Sequence, residues 1–323
     1  MSDGGTDIRN KFSHTLTLFF LTTYLDQWPS FFGDLFTLIR PPESTSQSTF
    51  NPHVSLLFFH LVLEISGEVA DQMIKSARSF NPARHTRDTR VRDAVRERDA
   101  AAINEAVLTI VADGVERMSR LRKGDVSAVE KELDTATEVV DWGMRTFASY
   151  VGMFSGNVLH VRYTTDLHAT GWIDINLTVT AKTIPLLFSL LSDGSLPIRL
   201  ATCGALTRIV AKGLKEPADK LQLIKVLSLG QVLDALETRT RAEQASRGSD
   251  IDEGEESYRE ALGRLLNTLG LELTKLVEVR YSCPVFVGTE IEIFTGMSDR
   301  RHPWRSEPAA ESSPSRAAPL HGR

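Results

Sequence analysis

The stretch Ser195–Leu227, SLPIRLATCGALTRIVAKGLKEPADKLQLIKVL, narrows the choice of fold more than any other part of the chain. It reads as two helices joined by a tight turn. Pro197 stands at the first helical position, where a missing N–H is no loss. Ile198, Ala201, Ala205 and Ile209 recur at three-to-four spacing along one face, and Cys203, Leu206 and Val210 along a second. Gly213 can close this helix in the left-handed conformation, with Leu214 as the apolar contact just beyond it. Pro217 opens the next helix, whose Leu221, Ile224 and Leu227 form one apolar stripe. A helix apolar on two faces has to be covered twice, by its own hairpin partner and by a neighbouring hairpin. Stacked helix pairs satisfy that demand, so the expected class is all-α, an α-solenoid of antiparallel helix pairs.

Pro197, Arg199, Ala201, Ala205 and Leu206 resemble the first helix of a HEAT-type repeat, with its proline start, early arginine and alanines at close backbone approaches. An ordinary all-α hairpin shares part of this pattern and is the plain alternative. With 323 residues the chain has room for two domains or one continuous solenoid. Its net charge of −5 makes any nucleic-acid contact a matter of a local basic face. The two cysteines, Cys203 and Cys283, form neither a metal cluster nor a disulfide framework. The apolar runs around Leu16–Leu25 and Ser55–Leu63 are about half the ~20 residues of a membrane span, and no membrane role is expected. The first run also lacks the flanks of a signal peptide, since Asp3 and Asp7 precede it.

The same rhythm runs along the chain. Ile8 to Tyr24 reads as a helix with Phe12, Leu16, Phe19, Phe20 and Thr23 inward, and Pro29 starts another with Phe31, Phe32, Leu35 and Leu38. After the polar loop Pro41–Asn51, Pro52 starts a third, carrying Val54, Leu57, Phe58, Leu61 and Val62 and interrupted at Gly67. Val126 to Tyr150, Lys182 to Leu191, Val232–Glu243 and Tyr258 to Val277 follow, with Trp172 as a core anchor at a bend. Arg247–Glu256 reads as an acidic loop, and the proline-, serine- and arginine-rich Arg300–Arg323 as disordered.

Two basic clusters stand out. Arg84, Arg87, Arg90, Arg92, Arg96 and Arg98 are set against Asp88, Asp93, Glu97 and Asp99. Arg84/Asp88 and Asp88/Arg92 are four apart, the spacing at which charges pair on one helix face. A solvated helix surface is the plain reading, and a guanidinium stripe offered to phosphates is the functional one. Arg117, Arg120, Arg122 and Lys123 end the next helix, where cations also suit the helix dipole. For nucleic-acid binding the candidates are Arg87, Arg90, Arg92, Arg96 and Arg98, then Arg120, Arg122 and Lys123.

Catalytic motifs are missing: no phosphate loop, HExxH, paired-cysteine motif or dinucleotide fingerprint. His14 and His60 read as core histidines, and Glu130, Glu132 and Asp141 as scattered helix carboxylates. A non-enzyme without cofactor or metal is expected.

Tyr150-Val151-Gly152 and Trp172–Leu177 (WIDINL), read as joined, resemble the YVxWIDxxL signature of the exportin branch of the importin-β superfamily. Ala205–Leu227, Asn10–Leu38 and Arg90–Asp99 (RVRDAVRERD) are similar to the tRNA exportins within that branch, so the resemblance runs from about Arg9 to Val277. It implies a HEAT-repeat superhelix that binds tRNA together with Ran-GTP in the nucleus, passes nucleoporins and releases its load in the cytoplasm. RNA of this kind is recognised by shape and backbone. Relative to a complete receptor, the first repeats and most of the C-terminal superhelix are expected to be missing, which puts independent transport in doubt.

Met153–Thr170 splits the signature, and deleting it restores the match. Gly152-Met153 is encodable as GGTATG and Thr170-Gly171 as ACAGGN, a splice donor and acceptor, so the segment reads as a translated intron. Val279-Arg280, encodable as GTACGT, suggests a second read-through. Spliced cDNA that retains both stretches in its dominant form overturns this reading. The expected layout is 1–151 repeats, 152–171 an inserted loop, 172–278 repeats continued and 279–323 a disordered tail. The competing function is a helical scaffold that binds protein or peptide and no RNA, or a transport receptor of the same superfamily without RNA binding.

Overall fold

The computed structural model describes residues 3–40, 50–70, 81–123, 129–151, 178–180, 182–212, 214, 217–227 and 253–282. Among these residues there are ten helices and no strand. They are α1 (Asp3–Thr23), α2 (Phe31–Ile39), α3 (Pro52–Ala70), α4 (Pro82–Arg98), α5 (Ala100–Leu121), α6 (Val129–Val151), α7 (Thr183–Leu191), α8 (Leu196–Ala211), α9 (Pro217–Leu227) and α10 (Glu253–Ser282). Trp172 and the WIDINL stretch, the Met153–Thr170 insertion, Gly213, Val232–Glu243, Cys283 and Arg300–Arg323 lie outside the described residues.

The helices form two layers. In one, α1, α3, α6, α8 and α10 pack in that order, each on the next. In the other, α2, α5, α7 and α9 each pair with the helix that follows, on α3, α6, α8 and α10. This is the HEAT-type solenoid that the two-faced helix demanded. In α8 both stripes are covered: Ile198, Ala205 and Ile209 are buried, and so are Cys203, Leu206 and Val210. Direction follows from side-chain pairs. Within α5/α6, Thr137 meets Met118 while Tyr150 meets Asn104, so the pair is antiparallel. His14 meets Glu64 and Arg9 lies near His60, so α1 and α3 run parallel. Arg199 meets Glu255 near the start of α8 and α10, and Lys220 links the end of α8 to Glu272, so these two are parallel as well.

Two starts share one device. The Asn51 side chain accepts from His53 and Val54 N–H at 3.0 and 3.3 Å, and Asn81 accepts from Ala83 and Arg84 at 3.0 and 3.1 Å. Each asparagine is followed by a proline that has no N–H to satisfy. In the middle of the stack two glycines set the spacing. A Cβ on Gly114 would lie 2.7 Å from Val140 Cγ2, and one on Gly143 would lie 2.4 Å from Val111 Cγ2 and 3.1 Å from Phe59. Helices α3, α5 and α6 therefore approach too closely for any side chain there.

The structure corrects several expectations. Phe12 and Phe19 of α1 are 53% and 52% exposed, and the buried positions are Ser13, Thr17, Phe20, Leu21, Thr23 and Tyr24, a face about one position round the helix. Leu38 is exposed and Ile39 buried in α2, one position round the helix. Gly67 does not interrupt α3, since the helix hydrogen bonds continue through it and open space surrounds it. Glu253–Glu256 belong to α10 rather than to an acidic loop, because Glu255 is drawn in by Arg199. His14 is no core histidine: its ring is half exposed and contacts Glu64 at 3.3 Å.

Candidate partner-binding surface

Helix α4 buries only Asp88, Val91 and Val95, and the rest of its circumference is polar. Asp88 is 1% exposed, and an unpaired carboxylate would not survive there. It is held by Arg87 at 2.7 Å and by Arg84 at 3.5 Å, while Arg84 also bonds Glu68 of α3. Arg92 turns to Asp93 at 3.2 Å instead of to Asp88. Arg98 lies over the Tyr24 ring at 4.5 Å, and the Tyr24 hydroxyl donates to Asp99 at the corner between α4 and α5. Burial and the Asp99 carboxylate together push the Tyr24 hydroxyl pKa up. That leaves Arg90 and Arg96 exposed and without an ion pair among the described residues.

The second cluster sits at the other end of α5, about 30 Å from Arg98 by helix rise alone. Arg120 and Lys123 are exposed there. Arg122 makes a two-pronged bond to Asp193, at 2.8 and 2.9 Å, across to the turn between α7 and α8. Asp193 Oδ1 also accepts the Ser195 N–H at 2.7 Å. Burial opposes ionisation of Asp193, but Arg122 and the Ser195 amide outweigh it and hold the carboxyl below its usual range. The eight candidates thus fall into two groups at opposite ends of α5. Arg87, Arg92, Arg98 and Arg122 are engaged within the protein, and Arg90, Arg96, Arg120 and Lys123 face solvent.

Sequence patterns gave no hint of the buried polar ties between repeats. Arg208 donates to the Ala148 carbonyl at 2.9 Å and Tyr258 to the Leu191 carbonyl at 2.7 Å, each capping the end of an earlier helix. Lys220, 4% exposed, donates to Val210 O and to Lys212 O and meets Glu272 at 3.0 Å, closing the end of α8 from α9 and α10 at once. Desolvation pulls the Lys220 pKa down against the pull of Glu272. Replacing it by methionine keeps the stem and removes the donors. We expect Lys220→Met to cost about 2 kcal/mol in urea unfolding, toward the upper end for a buried carbonyl left unpaired; an unchanged midpoint would count against this capping role.

Cys203 is buried and its thiol is pushed up to about 12 by desolvation, the opposite of an activated nucleophile. Among the described residues no group of three His, Cys, Asp or Glu side chains could hold a metal, and no helix is long and apolar enough to cross a membrane. A groove of about 570 Å³ opens between α2 and α5, where Phe36, Ile39, Phe50 and Ile110 alternate with Thr37, Arg40, Glu105 and Thr109. What the structure offers is surface.

Comparison with known proteins identifies whose surface it is. The family model of Exportin 1-like proteins matches residues 6–206. The chain belongs to the Exportin 1-like family. Relatives include proteins named Exportin-T: one from Coprinopsis cinerea is 69% identical over 271 residues, and one from Laccaria bicolor 67% over 272. A third, from Mycosarcoma maydis, is 33% identical over 287 residues. Each match covers 84% of this chain but only 24%, 23% and 24% of the respective relative, so the chain spans about a quarter of their length. Exportin 1-like proteins are nucleocytoplasmic transport receptors built from helical repeats, in keeping with the two layers described above.

Proposed function

We propose that this chain supplies a section of a receptor that carries tRNA out of the nucleus in company with Ran-GTP and shuttles between nucleus and cytoplasm. The observation that carries the reading is the 69% identity to an Exportin-T along 84% of the chain. Such a receptor meets nucleoporins on its way. The RNA contact falls to the arginines that the protein does not itself engage, Arg90 and Arg96 on α4, with Arg120 and Lys123 as a second point. Arg122 belongs to the inter-repeat clasp with Asp193.

The test is binding of the whole chain to tRNA, followed by fluorescence anisotropy with and without Ran-GTP. Mutual enhancement supports the reading, since a coupling between two ligands has to act both ways. A scaffold for protein partners shows none. In the same assay Arg90→Ala/Arg96→Ala is expected to lower affinity and to reduce the salt slope by about 1.5, two phosphates' worth of released counterions. If the slope does not move, α4 is a solvated surface and the contact lies elsewhere.

A further inference from the structure

We propose that Ser119, in the last turn of α5, is a phosphorylation site, and that its phosphate quenches the cationic point formed by Arg120 and Lys123. Ser119 is exposed, and its hydroxyl makes no hydrogen bond among the described residues. In this it differs from the other exposed serines and threonines described, each of which has a partner. Thr86 donates to Pro82 O, Thr109 to Glu105 O and Ser30 to Asp34, and Ser192 and Ser257 are engaged as well. Ser119 Oγ is thus an accessible nucleophile that no internal bond holds back.

Its surroundings suit an enzyme that reads positive charge. Arg117 stands two residues before Ser119, and Arg120, Arg122 and Lys123 stand one, three and four after it. Glu116 is the one acid within four residues on either side. Arg117 turns to Glu132 at 3.4 Å and Arg122 is held by Asp193, whereas Arg120 and Lys123 have no ion pair among the described residues. A kinase takes its target as an extended segment, so the helix has to open, and here it can open from its end. Met118 is 1% exposed, but from Ser119 to Lys123 no side chain is buried. Unwinding as far as Ser119 breaks the bonds from Arg122 N–H to Met118 O and from Lys123 N–H to Arg120 O, and parts Arg122 from Asp193. It exposes no buried apolar side chain, which places it among the low-cost local openings of a fold.

The phosphoryl donor is ATP, brought by the kinase. Ser119 Oγ attacks the γ-phosphorus, the new Oγ–P bond replaces the bond to the β-phosphate oxygen, ADP leaves, and the hydroxyl proton passes to the kinase's base. The product carries roughly −1.5 to −2 charges at neutral pH. It lies three residues before Arg122 and four before Lys123, the spacings at which side chains meet on a helix. Lys123 is free to turn to it, and Arg122 spends only its two terminal nitrogens on Asp193, which leaves Nε–H as a further donor. The carbonyl end of α5 disfavours an anion, and the surrounding cations offset that. The consequence for RNA rests on the reading of Arg120 and Lys123 given above: the phosphate cancels about two positive charges where the RNA backbone would meet them.

The test begins with the whole folded chain, ATP and protein kinase C, a kinase that selects serines with basic residues on both sides. Peptide mass spectrometry is expected to find the phosphate on Ser119, and Ser119→Ala to remove it. A chain left unmodified at Ser119, or modified there only after unfolding, overturns the proposal. Phosphorus NMR then reads the second pKa of the phosphate, expected below its ordinary value of about 6 and rising again in Lys123→Ala. A value of 6 or above that Lys123→Ala does not move overturns the quenching. In the anisotropy assay phosphorylation is expected to weaken tRNA binding about tenfold, to lower the salt slope by about 1.5, and to add little in Arg120→Ala/Lys123→Ala. Equal binding of tRNA by both forms also overturns the proposal. Binding by neither form sinks the export reading instead, and the kinase and phosphorus results then decide this one.

Discussion

Replacing Gly143 by leucine is expected to lower the unfolding free energy by about 3 kcal/mol, the upper part of the range for overpacked cores. The position lies where α6 meets both α3 and α5. Even a single Cβ would come within 2.4 Å of Val111 and 3.1 Å of Phe59. Val111 is β-branched and fully buried, so it has no spare rotamer into which to retreat. Helix propensity pulls the other way, since alanine is favoured over glycine by about 1 kcal/mol in a helix interior. The clash exceeds that gain, so Gly143→Ala is also expected to destabilise, by roughly 1 kcal/mol net. Thermal unfolding of the leucine variant should fall by about 6–12 °C. The mechanism has its own check. Val111→Ala costs stability alone through its cavity but should restore part of the loss when combined with Gly143→Ala, a coupling that only contact between the two sites produces. Strict additivity would show that Gly143 acts through its backbone.

Position 143 also shows where reading the sequence stops. The apolar stripes of α8 were legible because their period is a direct consequence of helix geometry, and they imply a stack before any partner is known. Gly143 carries no such mark: a glycine inside a helical pattern looks like a weakness until the neighbouring helices are placed. The inward face of α1 escapes the sequence for a related reason. Phe12 and Phe19 are the apolar choice by type, yet Ser13 and Thr17 are the ones buried, since close packing of helices favours small side chains. Of the basic cluster, the spacing foretold Arg84/Asp88, which forms, but not the fate of Arg92, which turns to its neighbour Asp93. Arg122 and Asp193 are 71 residues apart, and no local pattern joins them. Capping by Arg208, Lys220 and Tyr258 is equally non-local, because each donor finds a carbonyl on a different helix.

Acid is expected to loosen the seam between α1, α3 and α6 through a single side chain. His60 is 6% exposed, its ring 4.0 Å from that of Trp142, and its Nε2 has no hydrogen-bond partner among the described residues. Burial, with the Arg9 charge as the lesser cause, brings its pKa from 6.5 down to about 4. Arg9 is itself tied to Glu138 at 3.1 Å, and the Arg145 guanidinium lies 5.2 Å from the Trp142 ring. A protonated His60 therefore meets the Arg9 charge in a place almost closed to water. The unfolded chain takes up the proton near pH 6.5, whereas the folded one resists until about pH 4. Stability from this site is complete above pH 6.5 and drains away as pH falls toward 4, by about 3 kcal/mol in all. Glu138 and the Trp142 face soften the penalty, which makes that figure a ceiling. Carboxylates contribute to acid unfolding as well, so the quantity to measure is the difference between urea-unfolding free energies of the parent and of His60→Phe as a function of pH. Phenylalanine keeps the ring against Trp142 and cannot be protonated. The two curves should diverge below pH 6.5, the variant holding its stability better. Parallel curves would mean that the seam admits water to His60, and that α1 is held on α3 more loosely than its buried Phe20 and Leu21 imply.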